Sequence, residues 1–184
     1  MISFFILDTN ALSKQKIEKT LKAGKMKEII VRNRGGVKES GVENGVENAF
    51  NLKQKPFIQA DLRNRLRIQT KGVHNSLFYD KIRSKRLFSN VKNVKKTASA
   101  HNLREVLQVL REIRANFIII SPIFKTESHP NGKNLGILKL FRLINQVPFA
   151  NFIIMGGVSE KKALKVKKLD FQSKIKGFAS IRNF

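Results

Sequence analysis

The sequence predicts an α/β fold: a single-domain (β/α)8 TIM barrel spanning residues 1–184, trimmed in length, with its last helix short or missing. Three observations carry that expectation. Eight short apolar runs are spread along the chain, at 2–7, 28–32, 56–59, 72–74, 97–100, 116–120, 152–155 and 177–181. Stretches with helical period separate several of them. The later runs are continuous and rich in β-branched residues, as in strands buried on both faces of a parallel sheet. The chain has 184 residues, enough for one domain with a sizeable core. Barrels of this kind seldom fall below roughly 200 residues, so the connections must be short.

Each element has its own signal. The run at 2–7 is followed at once by Asp8 and is too short for a signal-peptide core, so it reads as a first strand. Residues 35–52 contain Gly35, Gly36 and a tandem Gly-Val-Glu-Asn at 41–44 and 45–48. They read as a glycine-interrupted second helix, since the repeat is too short for a solenoid. The clearest helix spans 102–113. Its apolar residues Leu103, Val106, Leu107, Leu110 and Ile113 fall at i, i+3, i+4, i+7 and i+10, one helical face. Asn102 can cap it, with Glu105 completing a capping box. It runs into the strand at 116–120. A second helix is expected over 135–144, punctuated by Pro148 before the strand at 152–155. Gly156 and Gly157 end that strand. Ser159 can cap a third helix reaching Lys168, with Ala163, Leu164 and Val166 apolar. The last strand is 177–181. Strands alternating with helices imply βαβ units, and eight strands imply closure.

Composition bounds the function. The absence of cysteine excludes disulfides, thiolate metal sites and cysteine nucleophiles. No segment approaches the roughly 18 apolar residues of a membrane span, so no membrane partner is expected and the expected location is the cytoplasm. Lys plus Arg number 37 against 13 Asp plus Glu, a formal charge of +24. The basic residues are distributed along the whole chain. There is one Tyr, no Trp, and 14 Phe, most of them in apolar runs suited to core packing. No zinc-finger spacing, RNP-like motif or heptad repeat is present. The charge therefore reads as a lysine-rich surface that attracts anionic phosphorylated substrates, rather than as a nucleic-acid interface.

The chemistry-bearing residues cluster at strand ends. All three histidines fall at the ends of expected strands or in the loops after them: His74, His101 and His129. In a βα barrel those positions build the active site. His-rich zinc spacing is absent. Gly156 and Gly157, ahead of a helix start at Ser159, form a plausible phosphate cradle, because glycine admits an anion to backbone N–H groups and a helix N-terminus favours negative charge. Gly177 and Ala179 on the next strand strengthen it, since phosphate sites in such barrels use the loops after strands seven and eight.

Residues 96–136 read Lys-Thr-Ala-Ser-Ala-His-Asn at their start and Ser-Pro-Ile-Phe-Lys-Thr-Glu-Ser-His-Pro-Asn-Gly after the following strand. This resembles the thiamine-phosphate synthase and thiazole tautomerase superfamily, whose fifth and sixth strands carry S-x-H and a P-x-F-x-T-x-S-H-P type loop. Gly72-Val73-His74, Met155-Gly156-Gly157-Val158 and Gly177-Phe178-Ala179 match as well. Val31-Arg32-Asn33-Arg34 is similar to the family's R-x-K element. The resemblance covers 1–184 loosely and 72–181 well.

The resemblance implies transfer of a hydroxymethylpyrimidine group from its diphosphate to thiazole phosphate, giving thiamine phosphate and pyrophosphate. It implies that Arg32 and Arg34 hold the diphosphate. Ser99 sits near the reacting pyrimidine, with His101 beside it. His74, Thr126, Ser128 and His129 contact substrate, and Gly156, Gly157, Gly177 and Ala179 bind the thiazole phosphate. Mg2+ is the implied cofactor, at Asp61 and Asp80. Four positions depart from the family pattern. Ala60 precedes Asp61 where an Asn-Asp pair is usual. Tyr79 stands at the second metal position, with Asp80 one further on. His129 replaces a lysine, and Arg182 replaces a serine near the end of the last strand. Three roles remain open: a synthase with an altered metal site; a thiazole tautomerase, against which Ser121-Pro122 stands where that type carries His; and a non-catalytic basic barrel binding thiamine phosphates or nucleic acid.

Overall fold

The computed structural model describes residues 1–8, 28–32, 57–59, 70–75, 93–126 and 131–181. Eight strands form one closed barrel in chain order. They are β1 (Ile2–Asp8), β2 (Glu28–Arg32), β3 (Phe57–Gln59), β4 (Gly72–Asn75), β5 (Lys95–Ala100), β6 (Phe117–Ile120), β7 (Phe152–Met155) and β8 (Ile175–Ser180). Every neighbouring pair is parallel, and β1 closes the ring by pairing with both β2 and β8. Among the described residues the helices are α1 (Leu103–Glu112), α2 (Gly136–Gln146) and α3 (Glu160–Lys168). The glycine-interrupted helix expected over 35–52 lies outside the described residues. No helix among the described residues is long and apolar enough to cross a membrane.

Alternation along each strand divides the core in two, as the two-residue period of a strand requires. Phe4, Ile6, Ile30, Phe57, Ile119, Ile153, Met155 and Ala179 form one cluster, which fills the barrel. Ile118, Ile120, Phe152, Ile154 and Phe178 alternate with them and join Val106, Val109, Leu140, Leu143, Ile144, Ala163 and Val166 of the three helices in the second. The barrel is thus a packed core whose chemistry must sit at its ends. Gly72 is part of that packing: a Cβ there would lie 2.4 Å from both Lys95 O and Phe57 Cε1.

Two details differ from the sequence expectation. The faces of α1 and α3 are rotated slightly: Leu107 and Leu164 are about half exposed, and Val109 is buried with Val106. Residues 103, 106, 109–110 and 113 define the stripe facing the barrel, and Leu107 lies off its edge. β5 begins at Lys95, because the parallel register sets Lys95 against Gly72 and Lys96 against Val73. These lysines pair through the backbone, Lys95 exposed and Lys96 half-buried, so no apolar signal marks them.

Candidate active site at the carboxyl ends of the strands

On β2, β4 and β5 the inward-facing positions nearest the strand ends carry polar side chains. Ile30 belongs to the interior cluster, and Arg32, two residues on, ends β2 on the same face with 1% exposure. His74 in β4 is fully buried, and Thr97 and Ser99 in β5 are buried beside it. The register sets His74 against Thr97. His74 Nδ1 lies 3.0 Å from Thr97 Oγ1, and Nε2 lies 3.4 Å from Ser99 Oγ. Thr97 Oγ1 donates to the Val73 carbonyl at 3.4 Å. With that proton committed, Thr97 accepts the Nδ1–H of His74, Nε2 carries the lone pair, and Ser99 donates to it. This assignment satisfies all three side chains. It leaves Ser99 Oγ presenting acceptor lone pairs.

His101 follows β5 directly. Glu105 Oε2 accepts from the His101 backbone N–H at 2.8 Å and from Nδ1 at 2.9 Å. The same glutamate completes the cap of α1: its N–H donates to Asn102 Oδ1 at 3.0 Å, and its Oε1 accepts from Asn102 Nδ2 at 2.7 Å. One carboxylate therefore starts the helix and orients the imidazole.

The loops after β6 and β7 are joined by backbone bonds. Ile123 N–H donates to Met155 O and Phe124 N–H to Gly156 O, both at 2.9 Å. The peptide between Ser121 and Pro122 is cis. Gly156 and Gly157 have φ of 89° and 63°. A Cβ at Gly156 would lie 2.6 Å from Pro122 Cβ, and one at Gly157 2.4 Å from Lys125 O. Both the backbone conformation and the close approach of the sixth loop demand glycine here. Ser159 Oγ accepts from Lys162 N–H at 3.4 Å and caps α3. Two successive glycines with positive φ thus stand just before a capped helix, a combination able to turn backbone N–H groups toward an anion.

The structure brings Arg32, His74 and Ser99 to the carboxyl-end face of the barrel, with His101, Thr126, Gly156 and Gly157 in the loops above the strands and Ala179 in β8 beside Met155. Gly177 is placed differently. It pairs with Ile2 and Ile153 inside β8, three residues before the strand ends, and its Cβ would meet Ile2 O at 2.1 Å. The missing side chain allows β8 to pack closely against β1. Arg34, Asp61, Asp80, Ser128 and His129 lie outside the described residues, as does Arg182. Thr97 escaped sequence reasoning, although a Thr-x-Ser alternation on one strand face was its available signal.

The described residues offer no fit for magnesium. Among them no group of three His, Cys, Asp or Glu could hold a metal ion.

Comparison with known proteins agrees with this geometry. The profile of the TMP-TENI family, described as thiamine monophosphate synthase, matches residues 4–184. The crystal structure of a thiamine phosphate pyrophosphorylase from Bacteroides thetaiotaomicron shares the fold at a TM-score of 0.58 and 12% identity, over 98% of this chain and 82% of that one. No curated protein sequence matches the chain. The family profile spans nearly the whole chain and the fold is the same barrel: the chain belongs to the TMP-TENI family, thiamine monophosphate synthase, as a synthase-like transferase of thiamine biosynthesis.

Proposed function

We propose that this chain joins hydroxymethylpyrimidine diphosphate to thiazole phosphate at the carboxyl end of the barrel, forming thiamine phosphate and releasing pyrophosphate. The reading is supported by two features at the carboxyl ends of the strands: the positive-φ diglycine ahead of a capped helix after β7, and a buried guanidinium and serine ending β2 and β5.

The reaction breaks the bond from the pyrimidine methylene carbon to the diphosphate oxygen, and the electron pair leaves with pyrophosphate. The resulting cation is captured by the lone pair of the thiazole nitrogen. Arg32, and Arg34 two residues on, would hold the diphosphate. A guanidinium keeps its charge at any working pH and matches phosphate oxygens two at a time. Ser99 Oγ, with its proton directed to His74 Nε2, would face the pyrimidine as an acceptor, which suits an electron-poor ring and its amino group. The N–H groups of Gly156 and Gly157 would hold the thiazole phosphate, with Ala179 beside them, and Thr126, Ser128 and His129 would contact substrate. This fixes nucleophile and electrophile at working distance. Asp61 and Asp80, which follow β3 and β4 in the sequence, would hold the magnesium that the family resemblance implies, to neutralise charge on the departing pyrophosphate.

The test is an assay of the full chain with the pyrimidine diphosphate, thiazole phosphate and magnesium, following pyrophosphate and thiamine phosphate together. Equimolar appearance of both is expected. Folded protein that binds thiazole phosphate and yields neither product would overturn the synthase reading.

A further inference from the structure

Lys162 occupies a position where a helix disfavours a cation. It is the third residue of α3, inside the turn whose N–H groups make the helix end positive. Its side chain turns back toward the barrel mouth. Nζ donates to Gly157 O at 3.3 Å and lies 5.1 Å from the centroid of the Phe124 ring, within range of a cation–π contact. The ammonium is thereby held between the loops that follow β6 and β7, beside the diglycine. Gly157 O takes one of its three N–H donors. The start of the helix, the positive-φ diglycine and the ammonium lie together, and the repulsion between the positive helix end and the ammonium is relieved by an anion there.

We propose that Lys162 determines specificity for the phosphorylated thiazole: its ammonium pairs with the phosphate held at Gly156 and Gly157, and so selects thiazole phosphate over the unphosphorylated thiazole alcohol. The proposal rests on the synthase reading above and adds to it a side chain that discriminates by ligand charge. The Phe124 contact keeps the four-carbon stem of the lysine in place, so less freedom is lost when the anion arrives.

Calorimetric titration of wild type, Lys162→Met and Lys161→Met with thiazole phosphate and with thiazole alcohol tests it. Lys161 is its neighbour, exposed as Lys162 is, and its substitution removes the same charge one residue away from the Gly157 and Phe124 contacts. Lys162→Met should weaken thiazole phosphate binding about tenfold, the scale of one hydrogen bond to a charged group. It should leave the alcohol unchanged. Lys161→Met should alter neither, and Lys162→Arg should retain most of the affinity. Equal losses in the two Met variants, or no loss in Lys162→Met, overturn the assignment of Lys162 while the phosphate site stands. Wild type that fails to bind thiazole phosphate overturns the site reading and this assignment with it.

Discussion

Gly157→Ala separates backbone strain from steric contact at the proposed cradle. Gly157 has φ of 63°, where an L side chain is strained by about 1–2 kcal/mol. Its Cβ would also lie 2.4 Å from Lys125 O and 2.9 Å from Phe124 Cβ, so the sixth loop must shift. Forced overpacking of that kind costs about 1–3 kcal/mol. Together the two effects come to about 2–5 kcal/mol, which lowers the melting temperature of a chain this size by roughly 10 °C. Gly136 supplies the control. It has φ of 73° but nothing within 4 Å of its would-be Cβ. Gly136→Ala should therefore show the strain alone, about 1–2 kcal/mol. Urea unfolding of both variants, with thiazole phosphate binding measured beside it, is the assay. Gly157→Ala should be the less stable and should lose binding, whereas Gly136→Ala keeps it. Equal destabilisation would refute the close approach of the sixth and seventh loops, and retained binding in Gly157→Ala would refute the cradle.

Three further outcomes follow from the same structure. Thr97→Val keeps the shape but removes the oxygen that accepts from buried His74; it should destabilise by about 1–3 kcal/mol in urea and lower kcat more than it raises KM, because Ser99 loses its orientation. Asp170→Ala should be costly for a loop residue. Its carboxylate, 1% exposed, accepts from Ile175 N–H at 2.6 Å and Lys167 Nζ at 3.2 Å, and so fixes the entry to β8. A loss of about 2–3 kcal/mol is expected by chemical denaturation. Asn102→Ala should cost about 1 kcal/mol by removing the cap of α1, and it should reduce activity through the shared partner Glu105, which also holds His101. A stability loss with wholly normal kinetics would separate His101 from the reaction.

The second half of the chain was the more legible. From β5 to α3, periodic apolar positions, an Asn-x-x-Glu cap and a Ser cap stand in sequence, and each is a local signal. The barrel order followed from alternation alone. What escaped is what the register decides. His74 and Ser99 are 25 residues apart and meet because β4 and β5 pair with His74 opposite Thr97. Nothing near either residue announces that contact. Gly177 shows the same dependence on register: the pairing of β8 with β1 gives it a neighbour's carbonyl to clear, which the local sequence does not announce. Lys162 looked like one lysine among many in a chain of charge +24, and only the fold of the sixth loop brings Phe124 beneath it.

The most direct test of the account is a crystal structure of the chain with thiamine phosphate and pyrophosphate. The account predicts the thiamine phosphate group on the Gly156 and Gly157 amides with Lys162 beside it, the pyrimidine against Ser99, and pyrophosphate at Arg32. Thiamine phosphate bound away from the carboxyl ends of the strands, or with its phosphate on the β2 side and its pyrimidine on the diglycine loop, would contradict it.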